Sequence, residues 1–560
     1  MSTDFDAIVV GSGISGGWAA KELTENGFKT LVLERGREIK HVRDYQGEHK
    51  PPWHYPFRHY GDRKLYERDY FIQSGFGWFN EHNRQFWNND RLNPYVVDEE
   101  KPFHWVRGDI LGGRSVLWGR QCYRWSDLDF EANRKDGHGI DWPIRYKDIA
   151  PWYSYVEKFA GVSGQAEGLP HLPDGEFLKP MVMNSVERHV KAAIETNFPG
   201  RTMTIGRVAV LTEPHNGRGA CHYCGPCDRG CSVAAYFCSL TSTLPAAKAT
   251  GLLTIRTDSV VERLDTDPRT GRIASVSVVD ARTRERLRFS ARVVFLCAST
   301  VGSTQILLNS RDERHPNGLA NGSGVLGRYL MDHTFGTGVS GVIPGFLDRD
   351  TIGARPNGIY IPRFRNLDGQ DPDAPFLRGY GFQGGASRQN WSREVPGFGK
   401  ALKEELARPG PWVMHLGGFG EILPYAGNRM LLDERKVDRF GIPQVRFEVE
   451  YKDNEKKMID DIMERGKEML KAAGATDIRA HPGPMIMGRG VHEMGTARMG
   501  DDPRESVLNR WNQAHEVPNL FVTDGSCMTS GSCVNPSITY MAITARAANH
   551  AAELLRAGTL

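Results

Sequence analysis

Asp6-Ala7-Ile8-Val9-Val10, Gly11-Ser12-Gly13-Ile14-Ser15-Gly16 and Glu34 constrain the fold of this chain more than any other residues in it. The first five are apolar enough for a buried strand. The glycine run follows at once with the spacing G-x-G-x-x-G. Trp18-Ala19-Ala20-Lys21-Glu22-Leu23 reads as a helix closed by Gly27, and Thr30-Leu31-Val32-Leu33 as a second strand ending at Glu34. Strand, glycine turn, helix, strand and acid come in the order a dinucleotide site requires. Gly11 permits the tight turn, Gly13 lets backbone approach a pyrophosphate, and Gly16 lets helix and strand pack closely. Ser15 lies in the first helical turn, whose free N–H groups face the phosphates. Glu34 is placed to bond a ribose hydroxyl. Whether the nucleotide is FAD or NAD this stretch leaves open.

A chain of 560 residues has room for two to four domains. With 39% hydrophobic and 25% charged residues it has a globular composition. A net charge of +3 gives no reason to expect nucleic acid or a membrane surface as partner. No apolar run is long enough to span a bilayer. The sequence enters the nucleotide strand almost directly, so no secretion signal of its own is expected. Nine cysteines, an odd number with four bunched together, do not resemble a disulfide framework and point to a reduced fold or a metal.

From Pro51 to Trp105 the chain is rich in aromatics: Trp53, Tyr55, Phe57, Tyr60, Phe76, Trp78, Phe79 and Trp87. They show no clean period, and packing is expected of them before sugar stacking. Gly112-Gly113-Arg114-Ser115 is a second small-residue loop open to a flat or anionic ligand. A helix is expected from Asp141 to Phe159, closed by Gly161, and strands over 252–264 and 273–279, joined by a turn at Asp267–Gly271. Arg292–Ala298 reads as a buried strand running into a helix over 300–308. Asn454–Ala473 reads as an amphipathic helix, with Met458, Ile459, Ile462, Met463 and Met469 on its apolar face.

The sharpest local signal is Cys221-His222-Tyr223-Cys224-Gly225-Pro226-Cys227-Asp228-Arg229-Gly230-Cys231. Its spacing C-x2-C-x2-C-x3-C is the run with which bacterial ferredoxins hold iron–sulfur clusters. Thiolates must converge on a compact, soft, multi-iron core, and a tight loop with glycine and proline brings them together. Structural zinc is the alternative, although it usually takes two separated knuckles. Free or paired thiols are the third possibility. Ser232 stands where a proline usually follows the last cysteine, and Cys238 is a further thiol nearby.

Near the C-terminus, His492 lies in a glycine-flanked loop, and Leu520–Ser526 is a strand running into a turn at Asp524. Cys533-Val534-Asn535-Pro536 opens a long helix over 539–555, with Asn535 at the cap position and Pro536 in the first turn. Such a helix start aims N–H groups at a negative centre. A histidine facing a flavin can remove a hydroxyl proton while hydride leaves the carbon.

These segments, with Leu326-Gly327-Arg328-Tyr329-Leu330-Met331-Asp332-His333, resemble the glucose–methanol–choline (GMC) oxidoreductase family over nearly the whole chain. The resemblance implies an α/β protein with a Rossmann-like FAD-binding domain and a second α+β substrate-binding domain, the p-hydroxybenzoate-hydroxylase-like GMC fold. It implies FAD, oxidation of an alcohol, His492 as base and Asn535 as its partner near the flavin N5. Val260 would contact the adenine end through its backbone, Asp524 would face the pyrophosphate, and Asn535-Pro536 the pyrimidine edge of the flavin. Covalent-flavin pyranose oxidases have a histidine in the loop after the paired glycines; Leu117 occupies that place here, so non-covalent FAD is expected. Bacterial FAD-dependent glucose dehydrogenases carry an iron–sulfur centre on three cysteines spaced C-x5-C-x3-C. Cys221, Cys227 and Cys231 reproduce that spacing, and the extra Cys224 leaves the three-iron and four-iron forms both open. The opening residues also resemble bacterial glucoside 3-dehydrogenases.

The expectation is therefore a dehydrogenase acting on a secondary hydroxyl of a pyranose or glucoside, with C3 as the candidate position. Electrons would leave through an iron–sulfur cluster to a cytochrome or other acceptor, with a small partner subunit. An oxygen-using oxidase with a structural cysteine loop and an electron-transfer flavoprotein subunit are the alternatives. Location is left between the cytoplasm and a periplasm reached with a signal-bearing subunit. The expected FAD domain comprises 1–50, 96–135, 245–335 and 490–560. The substrate domain comprises 51–95, 136–220 and 336–489, with 221–244 as the cluster loop. Gln383 and Glu421 lie in segments that could reach a sugar, with packing an equal expectation for each.

Overall fold

Five strands form a parallel sheet in the order Leu520–Val522, Ala291–Leu296, Phe5–Val10, Thr30–Leu33 and Leu253–Arg256. The computed structural model describes every residue except Met1, Ser2, His49, Trp391 and Ser392. A parallel strand covered on both faces needs a continuous apolar run, and Ala7–Val10 supplies one that is almost wholly buried. The chain leaves Phe5–Val10 toward Thr30–Leu33 on one side, while Ala291–Leu296 lies on the other. That reversal opens a crevice beyond the carboxyl ends of the strands, where ligands of such sheets bind.

The helix Ile14–Glu25 packs against the helices Tyr146–Ala160 and Ser537–Arg556. Trp18 meets the rings of Tyr155 and Phe159 edge-on at 5.7 and 5.1 Å. Asn549 Nδ2 donates to Glu22 Oε2 at 2.7 Å. The Tyr146 helix begins later than the expected Asp141 because Trp142-Pro143-Ile144 is an extended, buried approach to it; Gly161, at φ +73°, closes it as expected.

The single strand expected over 252–264 is two. Asp258 turns the backbone to φ +54°, so Leu253–Arg256 edges the parallel sheet while Ser259–Thr266 opens a three-stranded antiparallel sheet. That sheet continues through Ile273–Asp280 and Arg286–Phe289. A six-stranded antiparallel sheet runs in the order Thr476–His481, Gly338–Ile343, Trp412–Gly420, Tyr380–Arg388, Ile359–Ile361 and Thr204–Ile205. One face is sealed by Ser185–Asn197 and Asp453–Ala472, whose Val190, Ile194, Met458, Ile462 and Met469 meet Val339, Phe382 and Leu416. Strand alternation then turns Gln383, next to Phe382, to the opposite face.

Phe76 and Trp87 are buried as expected, whereas Trp53, Phe57 and Tyr60 are 55%, 66% and 82% exposed. The segment around them is irregular, with Phe57, Arg58 and His59 all at positive φ. No helix among the described residues is long and apolar enough to cross a membrane.

Candidate active site

A cavity of about 520 Å³ reaches from the parallel-strand ends to the uncovered face of the six-stranded sheet. That volume suits a cofactor with room beside it. Gly11, Gly13, Ser15, Glu34, Gly113, Ser115, Val260 and Asp524 line one part; His492, Asn535, Gln383, Phe419, Arg120 and Gln121 line another. Gly16, Gly112 and Pro536 stand behind the wall rather than in it.

The glycines are required by close contacts. At Gly11, φ is +97° and a Cβ would stand 2.4 Å from the Cys297 carbonyl oxygen. At Gly16 it would stand 1.9 Å from the Gly11 carbonyl oxygen. At Gly13 a Cβ would meet nothing within 4 Å. The bare backbone there faces open cavity at the start of a helix, a cradle of the shape a pyrophosphate fills. Gly16→Ala is therefore expected to yield protein without bound flavin, read from the visible absorbance of the purified chain. Wild-type flavin content would contradict this reading of the turn.

Glu34 is held rigidly at the cavity wall. Its Oε2 accepts from Ser12 N at 3.0 Å and Ser12 Oγ at 2.5 Å, and its Oε1 from Gly36 N at 2.8 Å. Burial pushes its pKa up while the Ser12 and Gly36 bonds oppose that shift. Asp524 is fixed by Ser303 Oγ at 2.5 Å and by Ser526 N and Oγ at 3.0 and 2.6 Å. Gly112 N donates to Ser12 Oγ at 2.8 Å, and Ser115 Oγ to the Gly112 carbonyl at 2.6 Å, so the two glycine loops brace each other. Leu117 presents only hydrocarbon to the cavity.

At the other part, the His492 ring lines the cavity with its Nδ1 3.0 Å from His333 Nδ1. Phe419 lies beside it, ring centres 6.1 Å apart. Burial first, then His333 and Arg114, holds the His492 pKa well below the usual histidine value, so the ring is a neutral acceptor at ordinary pH. Asp332 fixes the loop, accepting from Gly488 N at 2.8 Å, Gly490 N at 3.0 Å and His492 N at 3.1 Å. Burial, then Glu493, raises Asp332 to about 7. Arg114 forms a two-pronged ion pair with buried Glu493, at 2.6 and 3.2 Å.

Asn535 is not a helix cap. The helix starts at Ser537, two residues before the expected Thr539, and Pro536 takes the cap position. The Asn535 Oδ1 instead accepts from Gln383 Nε2, which leaves its own NH₂ for a ligand. Gln121 adds a further carboxamide to this wall, its Oε1 accepting from Tyr123 OH at 2.7 Å. Glu421 does not reach the cavity: it is buried and bound to Arg378 at 2.6 Å. The sequence reading passed over Arg120 and Gln121 and gave Asp332 and His333 no role. The Asp-His pair next to an apolar run was the available signal for the last two.

The four loop thiols stand within reach of one another's charge, and Cys221, Cys227 and Cys231 pack against one apolar cluster with Val210 and Tyr236. Burial pushes Cys227 up to about 11, opposed by the Arg120 guanidinium. The loop is held by Asp228, which binds His82 Nε2 at 2.7 Å, and by Arg229, which binds Glu48 at 2.6 Å. Among the described residues no group of three or more His, Cys, Asp or Glu side chains is placed to hold a metal ion. The thiols of Cys221, Cys224, Cys227 and Cys231 are therefore not gathered into a metal centre here, neither the expected iron–sulfur site nor a zinc site. The loop lies directly behind the cavity wall: Arg120, which lines the cavity, donates through Nη1 to the Cys227 carbonyl at 2.8 Å.

Known proteins resemble this chain over nearly its whole length. A 2-methyl-1,2-propanediol dehydrogenase from Mycolicibacterium austroafricanum is 29% identical, the alignment covering 97% of this chain and 94% of that one. A fructose dehydrogenase large subunit from Gluconobacter japonicus is 26% identical over 99% of this chain and 98% of that one. Formate oxidase from Aspergillus oryzae RIB40 superposes with a TM-score of 0.62 at 15% identity, covering 98% of both chains, and so shares the fold. Sequence models of the GMC oxidoreductase family match residues 5–335 and 424–544. The chain belongs to the GMC oxidoreductase family, the FAD-binding enzymes that oxidise CH–OH groups.

Proposed function

We propose that the chain is a dehydrogenase for a secondary hydroxyl of a pyranose or glucoside, at C3 in the sharpest form of the proposal. The observation that carries it is a neutral His492 on a cavity wall that also carries three carboxamides, Asn535, Gln383 and Gln121. Carboxamides both donate to and accept from hydroxyl groups without requiring charge in the substrate. His492 takes the hydroxyl proton on its ring. The Asn535 NH₂ holds the alcohol oxygen, oriented by Gln383. Phe419 and Trp78 add aromatic surface to the same cavity. FAD, held non-covalently by the glycine loops, supplies the hydride acceptor.

In the same proposal Cys221, Cys227 and Cys231, with Cys224 as a possible fourth ligand, hold an iron–sulfur cluster that provides one-electron transfer to a cytochrome-like acceptor. The C-x2-C-x2-C-x3-C spacing of the loop is what supports a cluster over zinc. The loop's place against Arg120 and the cavity wall supports an electron exit there. Anaerobic purification with iron counting and electron paramagnetic resonance tests this. About three to four irons per chain are expected, lost in a Cys221→Ser, Cys227→Ser, Cys231→Ser variant that keeps its FAD. Absence of iron, with fast reoxidation by dioxygen, would favour an oxygen-using oxidase in which the loop is structural.

A further inference from the structure

The Ser532 carbonyl, His333 and His492 form a chain of hydrogen bonds that ends at the cavity. His333 Nε2 lies 2.9 Å from the Ser532 carbonyl oxygen. A carbonyl only accepts, so Nε2 carries a proton. His333 is fully buried, and burial lowers its pKa to about 4, so the ring is neutral and its Nδ1 is bare. His492 Nδ1 is 3.0 Å from that bare nitrogen and must therefore carry a proton itself. In neutral His492 this leaves Nε2 as the unprotonated nitrogen. Among the described residues no protein group is hydrogen-bonded to that Nε2, and the ring lines the cavity.

The start of the chain is fixed. Ser532 is a non-glycine residue at φ +55°, a left-handed conformation that side-chain-bearing residues rarely adopt. Its Oγ donates to Asp129 Oδ1 at 2.7 Å and accepts from Val534 N at 3.3 Å, which holds the peptide in that state. The left-handed turn aims the carbonyl at His333.

We propose that His333 is a positioning residue that locks the tautomer of His492, so that Nε2 is always the nitrogen presented to the substrate hydroxyl. The proposal rests on His492 being the base. In the step, the hydroxyl O–H bond breaks, its proton moves to His492 Nε2, and the hydride leaves the carbinol carbon for FAD. The Nδ1 proton stays on His492 throughout, donated to His333. The charged and titratable groups around the ring are Arg114, Glu493, Asp332 and His333.

Two near-isosteric variants separate this role from packing. In His333→Asn, the amide oxygen can stand where Nδ1 stood and still accept from His492. In His333→Gln, the NH₂ can reach the Ser532 carbonyl, but no acceptor remains for His492. The readout is the anaerobic rate of flavin reduction at saturating sugar, with substrate affinity and flavin content measured alongside. His333→Gln is expected to be slowed about 10- to 100-fold, the range for loss of an orienting partner. Affinity should be unchanged, and His333→Asn should stay within a few-fold of wild type. Equal rates in the two variants, fast or slow, would overturn the tautomer lock. His492→Ala run in parallel keeps the two claims apart: a wild-type rate there would remove His492 as base, whereas a crippled rate beside two fast His333 variants would overturn the lock alone.

Discussion

His492→Ala is expected to slow flavin reduction by about 10²–10⁴-fold, the contribution of a positioned general base. The loss should appear in the reductive half-reaction followed anaerobically, with flavin still bound, because none of the groups around Glu34 and Asp524 depends on His492. The pH dependence gives a second check. A base acts when unprotonated, and burial with His333 and Arg114 holds His492 well below the ordinary histidine value. The acid limb of the wild-type profile should therefore lie below pH about 6.5, the unperturbed value. Protonation of the His492 ring should cost no rate as the pH falls from 8 to that value, and any change near pH 7 belongs to Asp332 beneath its loop. A limb at or above it would mean that the ring is not in the dry, cation-flanked place described here.

Arg378→Met is expected to cost about 3–5 kcal/mol of stability, the range for breaking one side of a buried ion pair. Arg378 is 4% exposed and donates to Glu421 Oε1 at 2.6 Å, to Asn133 Oδ1 at 2.8 Å and to both oxygens of Asp136. Glu421 also accepts from Gly531 N, and Asn133 donates to the Thr529 carbonyl. The cluster thus ties the large antiparallel sheet to the loop before Ser532 and Asn535. Without the guanidinium, Glu421 is left buried and unpaired in its carboxylate form. Burial raises its pKa and Arg378 opposes that rise, so removing Arg378 drives the group toward its protonated form. Denaturant midpoints of the flavin-loaded chain measure the loss, and Arg378→Met with Glu421→Gln should recover part of it. A midpoint equal to wild type would show that water reaches the cluster.

The nucleotide half of the site was legible because its chemistry is local. Gly11, Gly13, Gly16 and Glu34 lie within one strand–helix–strand unit, and contacts such as Gly16 against the Gly11 carbonyl are made inside that unit. The reactive half was legible only as separate pieces. His492 and Asn535 each stand out in sequence, but their neighbours arrive from far along the chain: Gln383 lies 152 positions before Asn535, and His333 lies 159 before His492. By local pattern Asn535 reads as a cap before Pro536, and its inward place was legible only through the family resemblance; the contact with Gln383 and its place on the cavity wall give the geometry. The strand over 252–264 failed for a related reason. Asp258 is a turn former that tolerates positive φ, but one such residue inside an otherwise alternating run is a weak break signal, and the pairing of the two halves in different sheets makes the break plain. The exposed rings of Trp53, Phe57 and Tyr60 escaped because aromatic content alone does not give the direction of a side chain.

The central claim is oxidation of a neutral sugar hydroxyl at the His492 end of the cavity. The most direct test is anaerobic single-turnover mixing of the purified enzyme with a glucoside and with the same glucoside deuterated at C3. Bleaching of the flavin absorbance, slowed by deuterium and nearly abolished in His492→Ala, is the predicted result. No bleaching by any pyranose or glucoside, or bleaching that survives intact in His492→Ala, would contradict the account.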